Sequence, residues 1–477
     1  MSLLNRFLPI PLIVLLAMGI YVNTLKNGFV FDDKDTIVNN IFIKELNNLP
    51  KLFDKDYFKL SGEISYRPVV TFTYIFEYAL FGLKPWGYHL TNILLHAFNV
   101  VLLYIFVQLL IEGSDRAKVV PLLTAFLFAT HPVLTEAVNA ISFREDLLVF
   151  LFYITTLNLY LISRPNSKAG RPPFWTVMLY LASCVTFFIA LFSKEMAVTL
   201  PLIIYWYEWV YCDKKRDLVK ILFNWYNIGY IVITLFYIYL RSYYFHNPME
   251  RDFLGWEVAD RLLTVPWLIL NFLKLTIFPI SLSVDYLIMP VKDAASLSFL
   301  LPSISIISLI GMTFLIGKKE KWIAFGIGFF LITLTPVYNI IPITNPLAIR
   351  YLYMPAVGFC MAMGLNFCLL YEAFISRHKT RKLYLSILFI AIMVIYSSGA
   401  INRNKAWKDN YSLWSDAARK VPQNIRPYYN DLGNILYEQG RFEEAIKQYQ
   451  MAIRLRPDFV EAYNNLGNVL VEMGRVE

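Results

Sequence analysis

The chain has 477 residues, 57% hydrophobic and only 17% charged, with a formal net charge of +9. A soluble domain carries about 25% charged residues, so this composition, with a mean hydropathy of +0.49, excludes an ordinary soluble enzyme. The surplus of Lys and Arg lies in short links between apolar runs, where it reports orientation across a membrane rather than nucleic-acid binding.

Apolar runs lie near residues 7–25, 91–111, 119–130, 147–163, 174–192, 196–211, 221–240, 299–316, 322–341, 351–372 and 383–401. The first reads as a retained span, because no small-x-small cleavage site follows Val14–Tyr21. Five links are basic, carrying Arg116 and Lys118; Arg164, Lys168 and Arg171; Lys214, Lys215, Arg216 and Lys220; Lys318, Lys319 and Lys321; and Arg377, Lys379, Arg381 and Lys382. Placing all five in the cytoplasm gives about eleven spans and a cytoplasmic N-terminus. The outer loops 26–88 and 241–298, and the C-terminal segment, then share the lumenal or periplasmic side. Residues 262–280 are broken by Pro266, Lys274 and Pro279 and read as re-entrant or lying along the outer interface, since one crossing there would turn the 317–321 lysines outward. The second outer loop holds Arg251, Arg261 and Asp285. Cys184, Cys360 and Cys368 lie within apolar runs and Cys212 beside a basic link, with neither metal-ligand nor disulfide-framework spacing.

Polar residues gather at the outer ends of these runs. Phe31-Asp32-Asp33 opens the first outer loop, which also carries Glu63 and Tyr66-Arg67-Pro68. His89, Asn92 and His96 fall on one helical face. The run 119–130 is too short to cross alone and is followed by His131, Glu136, Arg144, Glu145 and Asp146, expected in a cavity below the outer surface. Lys194 and Glu195 fill a two-run junction that has no loop, and Arg350 opens another run. Ionisable groups at such depth are costly and usually functional. Carboxylates that take a proton, beside cations that hold a phosphate, suit transfer from a lipid phosphate.

From Asn402 the composition becomes soluble. Residues 426–459 carry a 34-residue helix–turn–helix pattern, with Tyr429, Leu432, Gly433, Ala445, Tyr449, Ala452 and Pro457 at tetratricopeptide-repeat offsets. Tyr463, Leu466 and Gly467 repeat them, and Trp414, Ala417 and Pro422 resemble the second helix of a degenerate preceding unit. The chain stops at Glu477 inside the second unit, so truncation, or a last helix supplied elsewhere, is expected. The repeat surface offers Tyr429, Asn430, Asn434, Asn464, Asn465 and Asn468 to an acceptor.

In order along the chain, Phe31-Asp32-Asp33, Tyr66-Arg67-Pro68, Gly87-Tyr88-His89 with Asn92 to His96, His131-Pro132-Val133 with Thr135 to Val138, Ser193-Lys194-Glu195, Arg350 to Pro355 and the repeats resemble the transmembrane and tetratricopeptide-repeat protein O-mannosyltransferases and their prokaryotic relatives. The resemblance implies an all-α chain: a polytopic GT-C-type bundle over residues 1–401, a degenerate repeat or linker over 402–425, and a short α-solenoid over 426–477. It implies a glycosyltransferase of the bacterial inner membrane or the endoplasmic reticulum membrane. Mannose would pass from a polyprenyl- or dolichyl-phosphate donor to a protein Ser or Thr hydroxyl, with inversion.

On that reading Asp32 or Asp33 is the base, with a slight preference for Asp32. Arg67, His89, His131, Glu136, Arg144, Lys194, Glu195 and Arg350 hold the donor. No cofactor is called for, and a divalent ion on Asp32, Asp33 and a further acid stays open. Two other classes fit the spans: a lipid-linked sugar transporter or flippase, and a membrane-anchored repeat scaffold. A transporter would more often show internal repeats or broken helices near the midplane.

Overall fold

The computed structural model describes residues 8–55, 57, 65–164, 173–211, 224–245, 255–286, 288–317, 319–373, 379–420 and 428–474. Glu63, Lys168, Arg171, Cys212, Lys214, Lys215, Arg216, Lys220, Arg251, Lys318, Arg377 and Pro422 lie outside the described residues.

All eleven apolar runs fold as helices. They are α1 (Ile10–Tyr21), α3 (Pro85–Leu110), α4 (Val120–Thr130), α6 (Arg144–Ser163), α7 (Pro173–Leu191), α8 (Leu200–Tyr211), α9 (Trp225–Tyr239), α11 (Leu297–Gly317), α12 (Lys321–Thr333), α13 (Ala356–Ala373) and α14 (Lys379–Ala406). Among the described residues six helices are long and apolar enough to cross a membrane unaided. A seventh span results if α4 and the segment Pro132–Asn139, bent from it by 55°, are taken together. The bend has a local cause: Pro132 cannot donate to α4, and His131 before it is extended. The second half of that segment is α5 (Thr135–Asn139).

Three features depart from the sequence reading. The first outer loop contains α2 (Pro68–Phe81), started by Pro68 in its first turn and stopped by Gly82 at φ +58°. One side of α2 is buried through Val70, Tyr74 and Ile75, while Phe72, Phe76 and Leu80 stay exposed. The stretch read as re-entrant or lying along the outer interface is one continuous helix, α10 (Val258–Ile277), with Pro266 inside it, which removes the re-entrant alternative and leaves the interfacial one. And the polar turn is enclosed by protein: every residue from His131 to Phe150 is buried.

The bundle is held by close helix crossings and by one large apolar core that reaches from Ile13 to Ala400. Gly326 of α12 and Gly358 of α13 face each other, and a Cβ on Gly326 would stand 2.7 Å from the Gly358 carbonyl oxygen. Small residues permit such an approach between spans. Outside the core, α11 exposes Leu301, Ile304 and Ile307, and α14 exposes Leu383, Ile387, Ile390 and Val394. Apolar belts of that kind suit lipid, not water, and the chain is a multi-pass membrane protein.

The two ends of the bundle differ. At one, Arg116 donates through Nε to Glu372 at 2.9 and 3.0 Å and through Nη1 to Glu320 at 3.1 and 3.2 Å. Arg164, at the same end of α6, pairs with Glu208 at 3.0 Å. The other end of α6, about 30 Å away by helix rise, begins with Arg144, Glu145 and Asp146.

The soluble arm consists of α15 (Asn410–Lys420), α16 (Tyr428–Glu438), α17 (Phe442–Leu455) and α18 (Val460–Glu472). Ala445, Tyr449 and Ala452 are buried at the α16–α17 crossing. There a Cβ on Gly433 would stand 2.5 Å from the Tyr449 ring. Gly467 has no atom within 4 Å of the same position, so its unit lacks that crossing among the described residues.

Candidate active site

Asp32 and Asp33 lie at the start of a turn after Phe31, and they face opposite ways. Asp33 is fully buried. Its Oδ2 accepts from Val30 N at 3.0 Å and its Oδ1 from Ser142 N at 2.7 Å. Burial pushes its carboxyl up to about 6 against the pull of these amide hydrogens. Asp32 is exposed. Crowding by the protein around it raises its carboxyl to about 6, with Arg350 drawing it down and Glu145 and Asp35 pushing it up.

Beside Asp32 runs a chain of ion pairs drawn from six segments. Arg350 comes from the turn Ile349–Leu352 that precedes α13. Its Nη1 donates to Glu136 Oε1 at 2.9 Å, and its guanidinium lies 4.0 Å from the centre of the Phe143 ring. Lys194 Nζ lies 2.7 and 2.8 Å from the oxygens of Asp146 and 3.0 Å from Glu145. Arg67, just before α2, pairs through Nη1 with Glu145 and donates through Nη2 to Glu195 at 3.0 Å. Arg241, which follows α9, reaches Glu195 at 2.7 Å. Burial raises the Glu195 carboxyl, but Arg67 and Arg241 outweigh it and hold the group below the usual carboxylate range. Two buried atoms here have no hydrogen-bond partner, Arg67 Nε and Glu136 Oε2. Buried orphans of this kind are few in folded proteins.

The structure thus gathers Asp32, Arg67, Glu136, Lys194, Glu195 and Arg350 at one end of the bundle. Arg144, His89 and His131 are instead enclosed by protein groups. Arg144 is enclosed, with Nε donating to Asn92 at 2.7 Å, Nη2 to the Tyr88 carbonyl at 3.1 Å, and Nη1 to Thr73 and Glu77. His89 lies 3.4 Å from the Gly28 carbonyl oxygen, bracing the first outer loop. His131 is packed between Phe359 and Tyr396. His96 meets the Tyr353 hydroxyl at 2.9 Å.

Sequence reasoning missed Arg241, though its position just past an apolar run is the signal that singled out Arg350. It missed Glu77 because α2 was read as loop. Each Asp33 oxygen accepts one amide hydrogen, which turns that carboxylate towards the protein while Asp32 faces solvent. Among the described residues no three His, Cys, Asp or Glu side chains converge as metal ligands.

On the arm, Asn465 Nδ2 donates to Asn430 Oδ1 at 2.9 Å and to Asn434 Oδ1 at 3.0 Å, joining α18 to α16. Asn464 and Asn468 are exposed. Tyr429 lines an open cleft of about 760 Å³ shared with Lys405 of α14 and with Tyr411, Asp416 and Arg419 of α15.

The chain is similar to several known proteins. A family model described as TPR repeat matches residues 433–474. A protein O-mannosyl-transferase of Caenorhabditis elegans is 29% identical over 465 residues, covering 94% of this chain and 63% of that protein. A Drosophila melanogaster protein of the same name is 26% identical over 93% of this chain and 54% of its own length, and one from Mus musculus 26% over 96% and 52%. The chain therefore spans about half to just under two-thirds of these relatives. Among solved structures, ArnT from Cupriavidus metallidurans in the apo state aligns with 96% of this chain and 77% of its own, at 14% identity and a TM-score of 0.48. The oligosaccharyltransferase AglB from Archaeoglobus fulgidus aligns with 90% and 59%, at 12% identity and a TM-score of 0.48.

Proposed function

We propose, from its kinship with the protein O-mannosyl-transferases, that this chain is a membrane glycosyltransferase. It moves mannose from a polyprenyl- or dolichyl-phosphate donor to a Ser or Thr hydroxyl of a protein, on the lumenal or periplasmic face. The observation that carries the reading is the exposed Asp32 carboxylate beside Arg350, at the end of the bundle where four cations meet four acids. Arg116 and Arg164 mark the opposite end, which this reading makes cytoplasmic, and α15 packs against the Asp32 turn, so the arm lies on the same side as Asp32.

Asp32 accepts the hydroxyl proton as the acceptor oxygen attacks the anomeric carbon. The bond from that carbon to the phosphate oxygen breaks with inversion, and the lipid phosphate leaves carrying the electron pair. General-base assistance of this type contributes roughly 10²–10⁴-fold. The departing phosphate gains charge, and preorganised cations stabilise it. Arg350 is the best placed, because it draws on Asp32 while its Nη1 holds Glu136. Arg67 adds its unpartnered Nε, and Arg241 shares Glu195 with it. Lys194 is caught between two carboxylates and keeps Glu145 and Asp146 in place. The arm presents Tyr429, Asn464 and Asn468 to the acceptor, with Asn430, Asn434 and Asn465 shaping the surface.

The test is transfer by the purified chain in liposomes, from polyprenyl-phosphate mannose to a Ser/Thr peptide, read by mass spectrometry. Glycopeptide formation that disappears in Asp32→Asn supports the reading. Movement of the donor lipid without glycopeptide would make the protein a transporter, and neither activity would leave a scaffold.

A further inference from the structure

The turn bearing Asp32 is clamped from two sides, and one side is the soluble arm. Gly28 N donates to the Lys408 carbonyl at 2.9 Å, and Phe31 N donates to Asn410 Oδ1 at 2.8 Å. The Phe31 ring lies 5.6 Å from that of Trp414 and 5.8 Å from that of Phe143. Beneath it a small core, distinct from that of the bundle, joins Val30 and Phe143 to Trp407, Leu413 and Ala417.

Phe31 needs this support because its φ is +57°. A bulky L-residue seldom occupies the left-handed region, and such a conformation persists only where its surroundings over-determine it. Asp33 supplies the hold from the bundle, through the Val30 and Ser142 amides. Asn410 and Trp414 supply it from α15. A further link of the arm to this loop, Lys34 to Glu438 at 3.8 Å, joins two exposed side chains and contributes little.

We propose that Asn410 is a positioning residue for Asp32. By accepting from Phe31 N, and with Trp414 against the ring, α15 fixes the left-handed turn that keeps the Asp32 carboxylate beside Arg350. The arm therefore acts on the turnover step as well as on acceptor capture. This rests on Asp32 being the base.

The experiment uses the full chain with polyprenyl-phosphate mannose and a Ser/Thr peptide. Asn410→Leu keeps the size of the side chain and removes the acceptor oxygen; Asn410→Asp keeps the oxygen. The expected result is a fall of about tenfold or more in kcat for Asn410→Leu, with both KM values within about twofold of wild type. Asn410→Asp recovers most of the rate. Adding Asn410→Leu to Asp32→Asn slows the residual rate no further, since the two act through one group. An unchanged kcat in Asn410→Leu, a change confined to KM, or a multiplicative loss in the double variant overturns the inference. Full activity in Asp32→Asn instead removes the base assignment beneath it. Should Asn410→Leu not accumulate folded, Trp414→Leu removes the ring contact, leaves the hydrogen bond and carries the same expected and overturning results.

Discussion

Ser142 N donates to Asp33 Oδ1 at 2.7 Å, and that bond turns one of two adjacent carboxylates into the protein while its neighbour stays in solvent. The two aspartates then predict different variants. Asp32→Asn should lower kcat by roughly 10²–10⁴-fold and leave the thermal melt in detergent unchanged. Asp33→Asn sets an NH₂ group against a backbone N–H and strands a buried donor, at a cost of about 1–3 kcal/mol, so it should lower the melting temperature. Equal melting losses in both, or equal losses of rate with no melting change, would contradict this division.

Asp32 must be ionised to accept a proton, and its carboxyl stands at about 6. The rate should therefore rise with pH across that value. Arg350 is the group that draws it down, so Arg350→Gln should move the acidic limb to higher pH in addition to weakening donor use. A profile of kcat/KM from about pH 5 to pH 8 reads both. A limb that stays in place in Arg350→Gln would separate the two residues.

Arg144 and Arg350 were equal candidates by residue type, and they should fail in different ways. Arg144 is paired with Glu77 and has no exposed side-chain surface. Glu77→Gln or Arg144→Met leaves one buried charge unpaired, which costs roughly 3–5 kcal/mol. Folded yield and melting temperature should fall. Arg350→Ala should keep the fold and lose transfer. Normal melting in Arg144→Met would reopen it as a donor ligand.

Gly433 and Gly467 occupy the same repeat position with different neighbours. Gly433→Ala forces a methyl onto the Tyr449 ring, an overpacking of about 1–3 kcal/mol, and should speed proteolysis of the arm and raise the peptide KM. Gly467→Ala meets open space and should stabilise α18 slightly, by up to about 1 kcal/mol from helix propensity. Limited proteolysis of the two variants side by side checks the pair.

The sequence by itself determined the apolar helices, the repeat arm and the gathering of ionisable groups towards one end of the bundle. Apolar run length, basic links and the 34-residue period are local signals, and local signals survive in one dimension. Where polar groups pack was not legible. The i, i+3, i+7 spacing of His89, Asn92 and His96 showed a shared face, yet nothing in it said that the face looks inward to Arg144 and Tyr353 rather than to a ligand. α2 was missed because fourteen residues are too few to signal a span and its Glu77 breaks the apolar pattern. Only tertiary structure decided that Asp32 faces out and Asp33 in, and that Asn410 accepts from the Phe31 amide. Those outcomes depend on hydrogen bonds between residues 109 and 379 positions apart, and a pattern read along the chain carries no term for such a distance.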